Sequence, residues 1–278
     1  MKYLFWVSLA LILLILGCGK NKYDNSSAPK LNAMVENYFS EFSNMTDQAI
    51  TGNMVFYKVG EVITTNIADG KPIEYSKTDC NVIITLDTTG TNKTITIDWG
   101  TSNCTCNDGK SRRGKLVSTF TGSYFAQGTV ITHTPVNYYV NDNKVEGTKT
   151  VTNMGLNSSG QPYYNVEVDG IVTMSTGEVI NYTSSRVRTF TNGYTTPSIF
   201  LDDEYAITLT SNATVSNGDS YEAHTTEALK VKVGCGYIKS GVLSITPTGK
   251  PERVIDYGDG TCDATFTITV NGHTYTIN

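Results

Sequence analysis

The stretch TITIDWGTSNC, Thr94 to Cys104, alternates polar and apolar side chains as far as Trp99, breaks at Gly100 and closes on a cysteine. A period of two puts Ile95, Ile97 and Trp99 on one face of a strand and Thr94, Thr96 and Asp98 on the other, one face dry and one wet. The stretch IDYGDGTC, Ile255 to Cys262, repeats IDWGTSNC, Ile97 to Cys104, with Ile, Asp, an aromatic, Gly and Cys at identical spacing. The repeat extends upstream. Cys80, the run NVIITLD and a turn at Thr89-Gly90 precede the first copy; Cys235, the run GYIKSGVLSI and a turn at Pro247-Thr248-Gly249 precede the second. Two hairpins follow, each closed at its open end by a disulfide, Cys80 with Cys104 and Cys235 with Cys262. The second hairpin is symmetric about Thr248 and Gly249 when its cysteines face each other, and the first about Asn92. Cys106 is left over, either competing with Cys104 for Cys80 or remaining a free thiol.

The same period runs through Leu229, Val231 and Val233, and through Phe266, Ile268 and Val270. Turn signals recur between such runs, among them Asp69-Gly70, Asn107-Asp108-Gly109, Asn141-Asp142-Asn143, Ser159-Gly160, Asn217-Gly218-Asp219 and Asn271-Gly272. Short turns join antiparallel neighbours, whereas parallel sheets need long crossovers. The sequence therefore predicts an all-β antiparallel meander in one domain, Leu31 to Asn278, forming a curved, partly rolled sheet; a two-sheet β-sandwich is the alternative. One amphipathic helix precedes it over 31–50. Leu31, Met34, Val35, Tyr38, Phe39, Phe42 and Met45 form its apolar stripe, with Glu36, Asn37, Glu41 and Asn44 on the other face. Ser27 and Pro29 suit the cap region before it.

The N-terminus MKYLFWVSLALILLILGCGK carries one cation, Lys2, then an apolar or small run from Tyr3 to Gly17 that ends at Cys18. That run is short against the roughly 20 residues of a spanning helix, and a polar segment follows it. Residues 1–17 read as a lipoprotein signal peptide whose Ile-Leu-Gly-Cys ending resembles a lipobox, except that Leu16 stands where a small residue is usual, with Cys18 the lipidated residue after cleavage; an ordinary signal peptide with Cys18 a bystander is the alternative. Acyl chains on Cys18 contribute about 0.8 kcal/mol per buried methylene, enough with two or more chains for stable membrane attachment. Residues 18–30 read as a flexible tether.

A formal charge of −5 gives no basic field for nucleic acid. The densest basic group, Lys110, Arg112, Arg113 and Lys115, reads as a solvated turn. His133, His224 and His273 are dispersed and flanked by Thr, which suits exposed positions near strand ends and argues against zinc. Asp256, Asp259 and Asp263 are a weak calcium candidate, lacking the alternating ligands and closing Glu of a calcium loop. Asp202-Asp203-Glu204 is a second acidic cluster. The chain has no Gly-x-Ser-x-Gly elbow, phosphate loop or dinucleotide fingerprint. These observations predict no cofactor and a non-enzymatic binding or structural module, taking a glycan, a lipid or a protein; a hydrolase with carboxylate chemistry is the alternative. The 17 tyrosines, with doublets at Tyr138-Tyr139 and Tyr163-Tyr164, either stack on a ligand or support the sheet.

Several of these segments together resemble a family of uncharacterised cell-envelope lipoproteins of Bacteroidota. They are IDWG with its following Cys, DGKSRRGKL, NYYVNDNKVEGTKTVTN, the run from Arg186 to Phe190, and IDYGDGTCD with TVNGHTYTI. The resemblance covers nearly the whole mature chain and implies an outer-membrane location without an activity. Surface export in that group is signalled by an acidic tract after the lipidated cysteine. Here GKNKYDN holds only Asp24, which points to the periplasmic face rather than the cell surface.

Overall fold

The computed structural model describes residues 28–51, 73–77, 80–88, 92–106, 108–123, 126–196 and 202–277. The signal segment, Cys18, the tether as far as Ser27 and the turns expected at Asp69-Gly70 and Thr89-Gly90 lie outside these residues. One helix, α1 (Ala28–Thr51), precedes fifteen strands. They are β1 (Ile73–Lys77), β2 (Cys80–Asp87), β3 (Lys93–Asp98), β4 (Cys104–Thr105), β5 (Ser111–Phe120), β6 (Val130–Val140), β7 (Asn143–Leu156) and β8 (Pro162–Thr173). The second half supplies β9 (Val179–Asn192), β10 (Glu204–Val215), β11 (Ser220–Lys232), β12 (Ser240–Pro247), β13 (Arg253–Asp259), β14 (Phe266–Val270) and β15 (His273–Ile277). Every strand pairs antiparallel with its successor, except that β3 pairs with β5 and the short β4 lies off the path against β5. The meander is a single open sheet, so the sandwich alternative is not realised.

Tight turns set this order. At the β6–β7 turn Asn141 and Asp142 have φ of 50° and 62°, and at the β14–β15 turn Asn271 and Gly272 have 52° and 74°. Two successive positive φ values match the twist of the flanking strands in a two-residue hairpin. Register shifts break the ladders between Arg113 and Lys115, between His133 and Tyr138, and between Glu227 and Lys230. Extra residues of this kind bend a strand and raise its twist, which curves the sheet.

The concave side of that curve holds α1, and the helix crosses the strands. Asn32 meets Ser211 on β10, Glu36 meets Tyr182 and Arg186 on β9, and the Phe39 carbonyl meets Lys149 on β7. Further along, Phe42 packs edge-on to Tyr138 on β6, and Thr46 bonds to Ser118 on β5. The helix thus runs against the order of the meander and braces six strands from β10 to β5. Phe39 and Phe42 are wholly buried; each such side chain contributes about 1.5–3 kcal/mol on transfer from water. Phe39 also fits onto the bare backbone of Gly170 on β8, where an added Cβ would lie 2.1 Å from its Cζ.

Two expectations about the helix are corrected here. It starts at Ala28, three residues earlier than expected, and takes Pro29 into its first turn, where the missing N–H costs no bond. Its polar stripe is not a solvent face: between Ala28 and Asp47 only Lys30 and Asn44 are exposed. The sheet curls far enough to meet Glu36, Asn37 and Glu41 with partners of its own.

The repeated phrase has one structural meaning in both copies. Ile97 and Ile255 are buried, and the Oδ1 atoms of Asp98 and Asp256 accept the N–H of Gly100 and Gly258 at 2.8 and 2.9 Å. Both glycines have positive φ, 77° and 89°, so each aspartate caps a turn that only glycine enters without strain. The hairpins around them differ. Leu243 pairs with Ile255, centring the second hairpin on Gly249, half a residue from the expected axis. In the first, Ile84 pairs with Ile97, which moves the centre ahead of Asn92. The reason is that Cys104 does not continue β3; the chain leaves at Asp98 and returns as β4.

Candidate functional site

Alternation along β7 to β10 sends one set of side chains to the helix and the other to the convex side. The outward set forms two cross-strand rows, Thr150–Glu167–Ser185–Thr210 and Thr148–Asp169–Thr183–Asn212. These side chains line a shallow depression of about 390 Å³. Within it the Ser185 hydroxyl donates to Glu167 Oε1 at 2.8 Å. The face is rich in hydroxyl donors and acceptors and in carboxylate acceptors, without an aromatic platform. Glu167 and Asp169 sit two apart on one strand and point the same way.

On the concave side Arg112 and Arg186 are paired with carboxylates. Arg112, 1% exposed, donates from Nη1 and Nη2 to Asp108 at 2.8 and 2.6 Å, from Nη2 to Glu41 at 2.8 Å and from Nε to the Tyr138 hydroxyl at 3.2 Å. Burial pushes the Asp108 carboxyl up, but the Arg112 guanidinium outweighs it and holds the group below its ordinary value. Lys110 joins Glu41 and donates to Asn37 Oδ1 at 2.6 Å. The basic group at 110–115 is therefore no solvated turn throughout. Strand alternation turns Arg112 inward and Arg113 and Lys115 outward, where these two pair with Asp142 and Asp98.

A second ion pair joins Arg186 Nη1 to Glu36 at 2.7 Å, and Tyr182 donates to the same carboxylate. Burial raises the Glu36 pKa, against the lowering effect of Arg186 and Lys149. His133 is a further correction. It lies in the middle of β6 with 0% exposure, not at an exposed strand end, because it shares parity with Ile131 and faces the helix. Ser118 and Thr46 hydroxyls meet its Nδ1 at 2.8 and 3.3 Å. No carboxylate completes a catalytic triad with this ring among the bonds of the described residues, and its zero exposure denies a substrate approach.

Of the residues singled out from sequence, Cys235 and Cys262 form a disulfide with Cα atoms 5.8 Å apart, just beyond the paired ends of β12 and β13. Cys104 is disulfide-bonded, while the side chain of Cys80 lies outside the described residues, as does Cys18. Cys106 is a free, buried thiol, and burial pushes its pKa up. Asp259 and Asp263 meet at the Thr261 hydroxyl, 3.0 and 2.6 Å away, whereas Asp256 caps its own turn. Asp256, Asp259 and Asp263 each accept from their own loop, Gly258 N, Thr261 N and Thr265 N respectively, at 2.9, 3.1 and 2.7 Å. Among the described residues no three His, Cys, Asp or Glu side chains gather as a metal site. The Asp202 to Glu204 cluster is likewise divided: Asp202 accepts from Thr196 and Glu204 pairs with Lys232 and Lys239.

The tyrosine doublets split across the sheet. Tyr138 is wholly buried against Phe42 and Trp99, and Tyr139 lies under the Arg113 guanidinium at 3.8 Å. Tyr164 meets Arg188, which also lies over Tyr205. These rings support the sheet. Glu36, Glu41, Lys149 and Arg186, which join helix to sheet, had no part in the sequence reading of function, although Lys149 shares the parity of Val145 and Val151. No protein-family model, no curated protein and no solved structure matches the chain.

Proposed function

We propose that the chain is a lipid-anchored cell-envelope protein, attached through Cys18 to the periplasmic face of the outer membrane, that acts as a non-enzymatic binding module. The observation that carries this reading is the division of the sheet's two faces. Among the described residues its concave side is covered by α1, through Phe39 and Phe42 and through the ion pairs of Arg112 and Arg186. Its convex side presents the two four-residue rows on β7 to β10, a surface suited to a ligand rich in hydrogen-bonding groups, such as a glycan. The signal segment, the lipobox-like ending and the resemblance to Bacteroidota lipoproteins support the location. The described residues include no helix long and apolar enough to cross a membrane.

Co-sedimentation of the purified full chain with envelope polysaccharide tests the reading. Retention is expected to fall at least tenfold when Thr150, Thr183 and Thr210 are changed together to Lys, which blocks the depression while leaving the concave side intact. Retention that ignores this change contradicts it, as does turnover of the polysaccharide that is lost in Glu167→Gln.

A further inference from the structure

Two basic side chains lie next to each other beneath the helix. His133 on β6 and Lys149 on β7 are direct partners across the antiparallel ladder, and both face the concave side with 0% and 4% exposure. Directly opposed side chains of this kind stand about 5 Å apart at Cβ. The helix closes over each of them. Lys149 Nζ donates to the Phe39 carbonyl at 3.0 Å, and Ser43 Oγ lies 3.4 Å from His133 Nε2.

The hydrogen bonds assign the tautomer of the ring. The Thr46 hydroxyl donates to the Phe42 carbonyl at 2.9 Å, so at 2.8 Å it accepts from Ser118. Ser118 has then given its proton and accepts from Nδ1–H of His133 at 2.8 Å. Nε2 is left as the acceptor and takes the Ser43 hydroxyl. The next proton to reach this ring goes to Nε2.

Among the described residues no carboxylate bonds to Nε2 of this ring. The charged groups that act on the pair are Glu36 and Asp47 from α1 and Arg186 and Arg188 from β9; Ser118, the contact from β5, is neutral. Glu36 is bound to Arg186 and Tyr182, and burial with the two arginines already holds Lys149 well below its ordinary value.

We propose that His133 and Lys149 form an acid-sensitive latch: a proton taken up at Nε2 reverses the Ser43 hydrogen bond and places a second basic charge beside Lys149 under α1, so that mild acid favours opening of the helix from the concave face. Burial, then the charges of Lys149 and Arg188, hold the ring well below its ordinary value in the closed form. The open form therefore binds the proton first. The opening equilibrium rises as pH falls below about 6.5, by about tenfold per unit, until the closed ring itself titrates. Glu36 acts the other way, since its raised carboxyl takes up a proton more readily in the closed form; it blunts the transition at lower pH. Because α1 follows the tether, its release lengthens the arm between anchor and sheet.

Hydrogen exchange of the purified full chain between pH 7.5 and pH 5.5, corrected for the intrinsic rate, tests the latch. Amides of α1 are expected to lose protection about tenfold per pH unit below about 6.5 while β8 and β9 keep theirs, and His133→Gln is expected to remove that dependence. Helix and sheet opening together, a helix indifferent to pH, or a dependence that survives His133→Gln overturns it. Should the variant not fold, the wild-type ring is titrated by NMR. A midpoint below that of free histidine supports the latch, and one at or above it overturns the proposal.

Discussion

Phe39 of α1 lies on the bare backbone of Gly170: a methyl group on that glycine would stand 2.1 Å from the ring's Cζ. The contact fixes the height of the helix above β8, because the ring is wholly buried and also faces Phe42 and Tyr182 at centroid distances of 5.4 and 6.3 Å. Gly170→Ala is expected to cost about 1–3 kcal/mol, the range for an overpacked core. Urea unfolding checks it. Adding Phe39→Leu should recover part of the loss in Gly170→Ala, whereas two independent sites would give additive losses.

The Arg112 guanidinium has the most committed set of partners on the concave side, with Asp108, Glu41 and Tyr138 all bonded to it. Arg112→Met leaves Asp108, at 13% side-chain exposure, without its guanidinium and Glu41 with Lys110 alone. A loss of about 3–5 kcal/mol is expected. Glu41→Gln should cost clearly less, since Asp108 still holds both guanidinium nitrogens. The comparison by urea midpoint separates a buried ion pair from a surface contact, for which both changes would be small.

Joining Cys235 to Cys262 closes a loop with a sequence separation of 27. The chain-entropy relation gives about 3.5 kcal/mol for such a loop. The paired change to Ala at both positions is expected to lower the unfolding free energy by about that amount, measured without reductant so that Cys104 keeps its bond.

The two aspartates of the repeat are turn caps, so Asp98→Ala and Asp256→Ala should each cost about 1 kcal/mol, the net worth of one hydrogen bond. Neither calcium nor a chelator is expected to move the melting temperature of the wild type or of Asp256→Ala. A calcium-dependent rise lost in Asp256→Ala would show that the loop binds the ion after all.

The meander was legible because its signal is local. Ile95, Ile97 and Trp99 alternate within one strand, and Asn271-Gly272 names its own turn. The charged interior was not, because it depends on how far the sheet curls. Glu36 and Glu41 are polar residues on the far side of a helical stripe, which on a flat sheet would meet water. Here the curved sheet brings Arg112 on β5 and Arg186 on β9 to them. His133 and Lys149 had a readable sign, their parity with Ile131 and Val145, but their flanking threonines masked it. Repetition of IDWG and IDYG predicts the same stapled hairpin twice; the shared element is the aspartate-capped glycine turn, and the hairpins around it diverge at β4.

The proposed attachment of the sheet to a membrane through Cys18 decides what its convex face can meet. Mass spectrometry of the N-terminal peptide from the envelope fraction of expressing cells is the direct test. The account requires a peptide that begins at Cys18 and carries diacylglycerol on its sulfur. A chain processed at another position, or an unmodified Cys18 in the soluble fraction, would contradict it.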